Sequence, residues 1–127
     1  MLRVLIIEDN AVLRRGLAQI FSQADVLITQ LENGKHAVDL INKEPQDLII
    51  CDLRLPGIDG LRVLSHLREI GQTTPFILVT AYYSEDLARR ATALGADAIF
   101  EKPVDLNRLM EKCETYLGTL LRAARRI

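Results

Sequence analysis

With 127 residues the chain has the size of one compact domain, 1–127, able to bury a core without disulfides or structural metal and leaving no room for a second domain. Its 17 acidic and 16 basic side chains nearly cancel, so no broad field of one sign draws it directly to nucleic acid or a membrane surface. Cys51 and Cys113 lack metal-ligand spacing and read as free thiols of a reducing compartment; with no basic leader and no apolar run near the roughly 20 residues that cross a bilayer, a cytoplasmic location is expected.

Leu2–Ile7 is the first of five short apolar runs, too short for helices and rich in Val, Ile and Leu. Asn10 then caps a helix over Ala11–Phe21 that turns Leu13, Leu17, Ile20 and Phe21 inward and leaves Arg14 and Arg15 to water. The second strand is Val26–Leu31. Asn33-Gly34 opens a helix over Lys35–Asn42 that buries Ala37, Leu40 and Ile41 and cannot pass Pro45. The third strand, Leu48–Cys51, precedes a helix over Leu61–Ile70 with Leu61, Leu64, Leu67 and Ile70 on one face and Gly71 at its end. Phe76–Val79 is the fourth strand, Ser84 caps Glu85–Leu94 before Gly95, Ala98–Phe100 is the fifth, and Asp105 caps a last helix from Leu106.

Runs that are apolar at successive positions belong to a sheet covered on both faces, and strict β-α alternation requires parallel strands with right-handed crossovers. The expected fold is α/β, a doubly wound five-stranded parallel sheet in the order 2-1-3-4-5 flanked by five helices. Ligands of such sheets bind at the carboxyl ends of the strands, beside strands 1 and 3.

The residues that leave those ends are Glu8-Asp9, Asp52, Thr80 and Lys102-Pro103. Each alone is explained by a solvated turn or a strand end; together they fall on one rim. Carboxylates gathered there repel by roughly 4 kcal/mol per close pair at about 4 Å and a dielectric near 20, and so need a cation. An oxygen-rich site with open positions suits Mg²⁺, or Mn²⁺. A carboxylate beside such an ion can attack phosphorus, while Lys102 meets a phosphoryl oxygen as a point charge and the Thr80 hydroxyl bonds another.

The segments VLIIEDN, LIICDLRLPGIDG, ILVTA and GADAIFEKP, spaced along one chain, resemble the receiver domain of bacterial response regulators. The resemblance implies a CheY-like, flavodoxin-like fold. It implies Asp52 as phosphoacceptor, Asp9 as direct metal ligand, Glu8 as a metal-site acid acting through water, the Arg54 carbonyl as a further ligand, Thr80 and Lys102 as holders of the phosphoryl group, and a cis bond before Pro103. It also implies a signalling switch in two-component phosphorelay, not an enzyme releasing product. The donor would be a histidine kinase or histidine phosphotransfer protein, the listener a downstream effector or output domain, the chain itself a stand-alone receiver or an excised one.

Arg54 and Tyr82, two residues beyond Asp52 and Thr80, overhang the phosphoryl position in such domains and predict a long-lived phosphorylated state. One departure is Ile99, at a place where receivers often carry a rotating aromatic; strand alternation puts Phe100 on the opposite face, toward the core. Charged candidates on the output face of helix 4, strand 5 and helix 5 are Arg89, Arg90, Asp97, Glu101 and Arg108. His36 and His66 read as surface or packing residues. The last helix has an apolar stripe continuing through Leu117, Leu120, Leu121 and Ala124, then the basic Arg122, Arg125 and Arg126, which predicts an extension to about 126 as a homodimer or linker helix, against which Gly118 counts. Alternative functions are an aspartyl-phosphate hydrolase, which would carry a second aspartate where Arg54 stands, and a pseudo-receiver that only docks.

Overall fold

The computed structural model of the chain describes residues 1–22 and 25–118. Five strands, β1 (Leu2–Ile7), β2 (Val26–Leu31), β3 (Leu48–Asp52), β4 (Phe76–Thr80) and β5 (Ala98–Glu101), alternate with α1 (Ala11–Gln19), α2 (Gly34–Lys43), α3 (Gly60–Glu69), α4 (Glu85–Leu94) and α5 (Leu106–Leu117). The sheet is parallel throughout and runs β2-β1-β3-β4-β5, the order expected for five alternating β-α units.

Strand pleating divides the core. Val4, Ile6, Leu48, Ile50, Ile77 and Val79 point toward Leu17 of α1 and Leu109 and Cys113 of α5. Their neighbours Leu5, Ile7, Ile49, Cys51, Phe76 and Leu78 point toward Ala37 and Ile41 of α2, Leu64 and Leu67 of α3, and Leu87 and Ala91 of α4. Every residue of β3 and β4 is buried, as strands covered on both faces must be. The expectation of full cover fails at the edges. β2 has no fully buried position, with Leu27 and Gln30 exposed, and β5 is at most half-buried, because each has a neighbouring strand on one side only and helical cover that stops short.

Each helix starts on a side chain that accepts a backbone N–H: Asn10 from Leu13, Asn33 from His36, Asp59 from Arg62, Ser84 from Leu87 and Asp105 from Asn107 and Arg108. Gly95 ends α4 at φ 102°, a left-handed conformation that favours glycine. α1 ends at Gln19, two residues before the expected limit, although Phe21 is still buried. α3 ends at Glu69, which leaves Ile70 as its cap and 43% exposed, not on the buried face. α5 closes at Leu117 with Gly118 as cap; the expected continuation past 118 lies outside the described residues. Asp97 is not a free output charge. It accepts from the Phe76 N–H at 2.8 Å and pairs with Arg68 at 3.4 Å, which ties the start of β5 to β4 and α3. No helix among the described residues is long and apolar enough to cross a membrane.

Candidate functional site

Parallel strands end on one rim, and register keeps the rim level: Ile7 pairs with Cys51, Asp52 with Val79 and Thr80 with Glu101. Glu8 and Asp9 therefore leave β1 beside Asp52, the last residue of β3, while Thr80 ends β4 and Lys102 follows β5. One carboxylate oxygen from each of Glu8, Asp9 and Asp52 lies within 4.8 Å of the others. Glu8 has no exposed surface, Asp52 is 6% exposed, and Asp9 is exposed at the mouth.

Lys102 reaches in from the far side. Its Nζ stands 3.0 Å from Asp52 Oδ2, a well-directed hydrogen bond, and 2.8 Å from Glu8 Oε1, an ion pair whose angle leaves that buried oxygen without a directed donor. Burial pushes the Glu8 carboxyl above its usual range, and the Lys102 ammonium and the hydrogen bond from the Asn10 N–H only partly offset it. Burial also pulls the Lys102 amine down, but its contacts with the Glu8 and Asp52 carboxylates outweigh this and hold it above the ordinary lysine value. The Lys102–Pro103 peptide is cis, as the resemblance implied.

These residues fit a hard divalent ion. Three ionised carboxylates beside one ammonium leave two negative charges, the amount one such ion cancels. A buried, under-donated Glu8 oxygen and an exposed Asp9 supply oxygen donors with an open side, the set that Mg²⁺ uses when it keeps waters.

Thr80 is fully buried. Its hydroxyl accepts the Tyr82 N–H at 2.9 Å, and its carbonyl accepts the Lys102 N–H at 2.8 Å, so the two residues share one backbone link. Above the rim, the Arg54 guanidinium lies 3.8 Å from the centre of the Tyr82 ring. The two side chains thus meet each other, a contact that sequence spacing does not reveal. Ile99 and Phe100 take opposite faces: Ile99 packs with the α2, α3 and α4 side, and Phe100 with the α1 and α5 side. Phe100 is only half-buried, and with Ile99, Glu101 and Arg108 it lines a cleft of about 410 Å³. His36 is exposed against Asn33, His66 bonds Asn42 at 2.7 Å, and neither belongs to the acidic cluster.

Two features escaped the sequence reading. Arg14 does not face water; it is 8% exposed and donates to the Glu8 carbonyl at 3.0 Å. Helical side chains lean toward the helix N-terminus, so an arginine four residues past the cap can reach the strand end before it. The second is a pair of close approaches. A Cβ on Gly34 would fall on the Ile58 carbonyl, and one on Gly60 on the Asp52 carbonyl, so the loop after Asp52 is folded tightly against α2 and back on β3. Neither glycine has a positive φ, so composition alone gave no sign of them.

A family model described as the response regulator receiver domain matches residues 4–114. Sporulation initiation phosphotransferase F of Bacillus subtilis (strain 168) is 31% identical over 115 residues, 91% of this chain and 93% of that protein. Regulator of RpoS of Escherichia coli (strain K12) is 36% identical over 110 residues, 86% of this chain but 33% of that protein, so the chain spans about a third of this longer relative. The crystal structure of a CheY-like response regulator receiver domain protein from Methanospirillum hungatei JF-1 has the same fold, with a TM-score of 0.85, 24% identity and coverage of 99% of this chain and 98% of that one.

Proposed function

Since the chain belongs to the response regulator receiver domain family of two-component signalling, we propose that Asp52 is its phosphoacceptor and that phosphorylation switches the surface formed by α4, β5 and α5 toward a partner, an output domain or a second copy. One observation carries the reading: Lys102 Nζ stands 3.0 Å from Asp52 Oδ2, while Glu8 and Asp9 bring carboxylate oxygens to the same point.

An Asp52 oxygen attacks phosphorus in line as the bond to the donor nitrogen breaks, a reaction whose barrier falls chiefly through positioning and charge. Bound Mg²⁺ or Mn²⁺, held by Asp9, Asp52, the Arg54 carbonyl and, through water, Glu8, would neutralise the phosphoryl oxygens. Lys102 already shares its proton-rich end between Glu8 and Asp52 and turns to the new acceptor without leaving the rim. The Thr80 hydroxyl accepts from Tyr82 and so keeps its own proton to donate. When it turns to a phosphoryl oxygen, the Tyr82 N–H loses its acceptor and the start of the β4–α4 loop must adjust. That is how phosphate occupancy, worth about −1.5 to −2 charges, reaches the outer surface. Ile99, beneath α4, would adjust in place of a rotating ring. The stacking of Arg54 on Tyr82 supports a role for the pair in shielding the acyl phosphate and slowing its hydrolysis.

Receiver domains pair with histidine kinases and phosphotransferases. An apolar groove of about 480 Å³, lined by Val12, Leu13, Gly16, Pro103 and Leu106 with Lys102 at its edge, supports approach of the donor along α1. Buried free thiols at Cys51 and Cys113 support a reducing, cytoplasmic setting. The test is incubation with Mg²⁺ and acetyl phosphate, followed by intact mass: wild type gains one phosphoryl group, whereas Asp52→Asn and EDTA-treated wild type do not. A gain by Asp52→Asn equal to wild type removes the assignment, and multiple turnover of the phosphodonor favours a hydrolase.

A further inference from the structure

Arg14 is a charged side chain that the fold buries behind the rim. Its guanidinium reaches back over the first turn of α1, donates to the Glu8 carbonyl at 3.0 Å and pairs with Glu32 at 3.2 Å. Glu32 is largely exposed, and an ion pair with an exposed partner does not repay burying arginine. The bond to Glu8 has a different consequence. A carbonyl oxygen shares one rigid plane with the next residue's N–H, so anchoring Glu8 O fixes the plane from which Asp9 departs.

The other handles on Glu8 are also held. Its N–H donates to Leu31 O at 3.0 Å, its Oε2 accepts the Asn10 N–H at 3.1 Å, and its Oε1 faces Lys102 at 2.8 Å. Asp9 carries an exposed carboxylate that meets the Glu8 carboxyl, and the backbone that carries it sets where that side chain starts. We infer that Arg14 is a positioning residue of the cation site: its bond to the Glu8 carbonyl orients the Glu8–Asp9 peptide so that Asp9 faces a divalent ion together with Glu8 and Asp52. This rests on the divalent-ion reading given above.

Charge and position make opposite demands on Arg14, which makes the role testable. Removing a positive charge beside carboxylates strengthens cation binding by electrostatics alone. Removing an outer support of metal ligands weakens it, by roughly tenfold to a hundredfold. Amide NMR titrations of the metal-stripped full chain with Mg²⁺ compare wild type, Asp9→Asn, Arg14→Met and Arg14→Lys. The expected result is saturable binding by wild type, loss in Asp9→Asn, and a Kd raised about tenfold or more in Arg14→Met. Before any Mg²⁺ is added, the Asp9 and Asn10 amides of Arg14→Met should exchange faster with solvent than those of wild type. Wild-type binding with an equal or lower Kd in Arg14→Met overturns the role of Arg14 alone; absence of saturable wild-type binding overturns the divalent-ion reading itself. If Arg14→Met does not fold, Arg14→Lys decides. It keeps the charge but lacks the planar fork that spans Glu8 and Glu32, so a Kd several-fold above wild type supports positioning and an unchanged Kd contradicts it.

Discussion

The Lys102 amine stands 3.0 Å from Asp52 Oδ2, and through it the last turn of the sheet supplies the cation that the carboxylates at the other strand ends require. Lys102→Met removes that cation while keeping most of the apolar stem. In EDTA we expect a loss of about 3 kcal/mol, the scale for stranding buried charges. Saturating Mg²⁺ should restore part of it, because a divalent ion answers the same charge excess. Thermal unfolding with and without Mg²⁺ reads both; an identical loss in the two conditions would mean that lysine and metal do not share the site's charge.

Gly34 and Gly16 are both helical, yet they should respond to alanine in opposite directions. A Cβ on Gly34 meets the Ile58 carbonyl, a backbone atom that cannot turn aside, whereas one on Gly16 meets nothing within 4 Å. Gly34→Ala is expected to cost about 1–3 kcal/mol by overpacking, and Gly16→Ala to gain about 0.5–1 kcal/mol by restricting the unfolded chain. Denaturant melts of the two variants check the contrast, which fails if both shift the same way.

The pH dependence follows from Glu8. Its folded carboxyl keeps a proton above the ordinary value of 4.5, so its contribution to stability is full below that pH and is lost as pH rises through the folded value. In metal-free buffer, the unfolding free energy of wild type relative to Glu8→Gln should therefore decline from pH 4.5 upward, with a slope no steeper than about 1.4 kcal/mol per pH unit. A difference that grows with pH over that range has the wrong sign.

Burial pushes the Cys113 thiol up to about 12 and the Cys51 thiol well above its ordinary value. Only the thiolate reacts readily. At pH 8 the native chain should resist iodoacetamide at both cysteines and take up two equivalents once unfolded in urea. Rapid native alkylation of either one would contradict its burial.

Arg54 over the Tyr82 ring is an exposed cation–π contact worth about 0.5–1 kcal/mol. Its stability value is small, so its effect should appear in kinetics. Decay of the phosphorylated chain is expected to quicken in Tyr82→Ala with little change in Tm; an unchanged decay rate removes the shielding role.

Strand positions, helix caps and sheet order were legible because they are local or follow from alternation: Asn10, Ser84 and Asp105 cap where their side chains predict. The rim was legible because parallel strands present their ends together. What periodicity missed depends on three-dimensional reach. Arg14 reads as solvent-facing because arginine is usually so, and only the site beyond the helix start explains its burial. Asp97 reads as surface charge until the Phe76 N–H and Arg68 are seen to claim it. The edge strands differ because each has one neighbouring strand and less helical cover, and Thr29 and Gln30 of β2 and Glu101 of β5 already mark that in sequence.

The most direct measurement is chemical mapping of the phosphorylated residue. Chain treated with Mg²⁺ and acetyl phosphate is reduced with borohydride, which converts an acyl phosphate on aspartate to homoserine, and its peptides are sequenced by mass spectrometry. We expect homoserine at position 52 and nowhere else; homoserine at position 9, or none at 52 in a chain that has gained a phosphoryl group, would contradict the assignment.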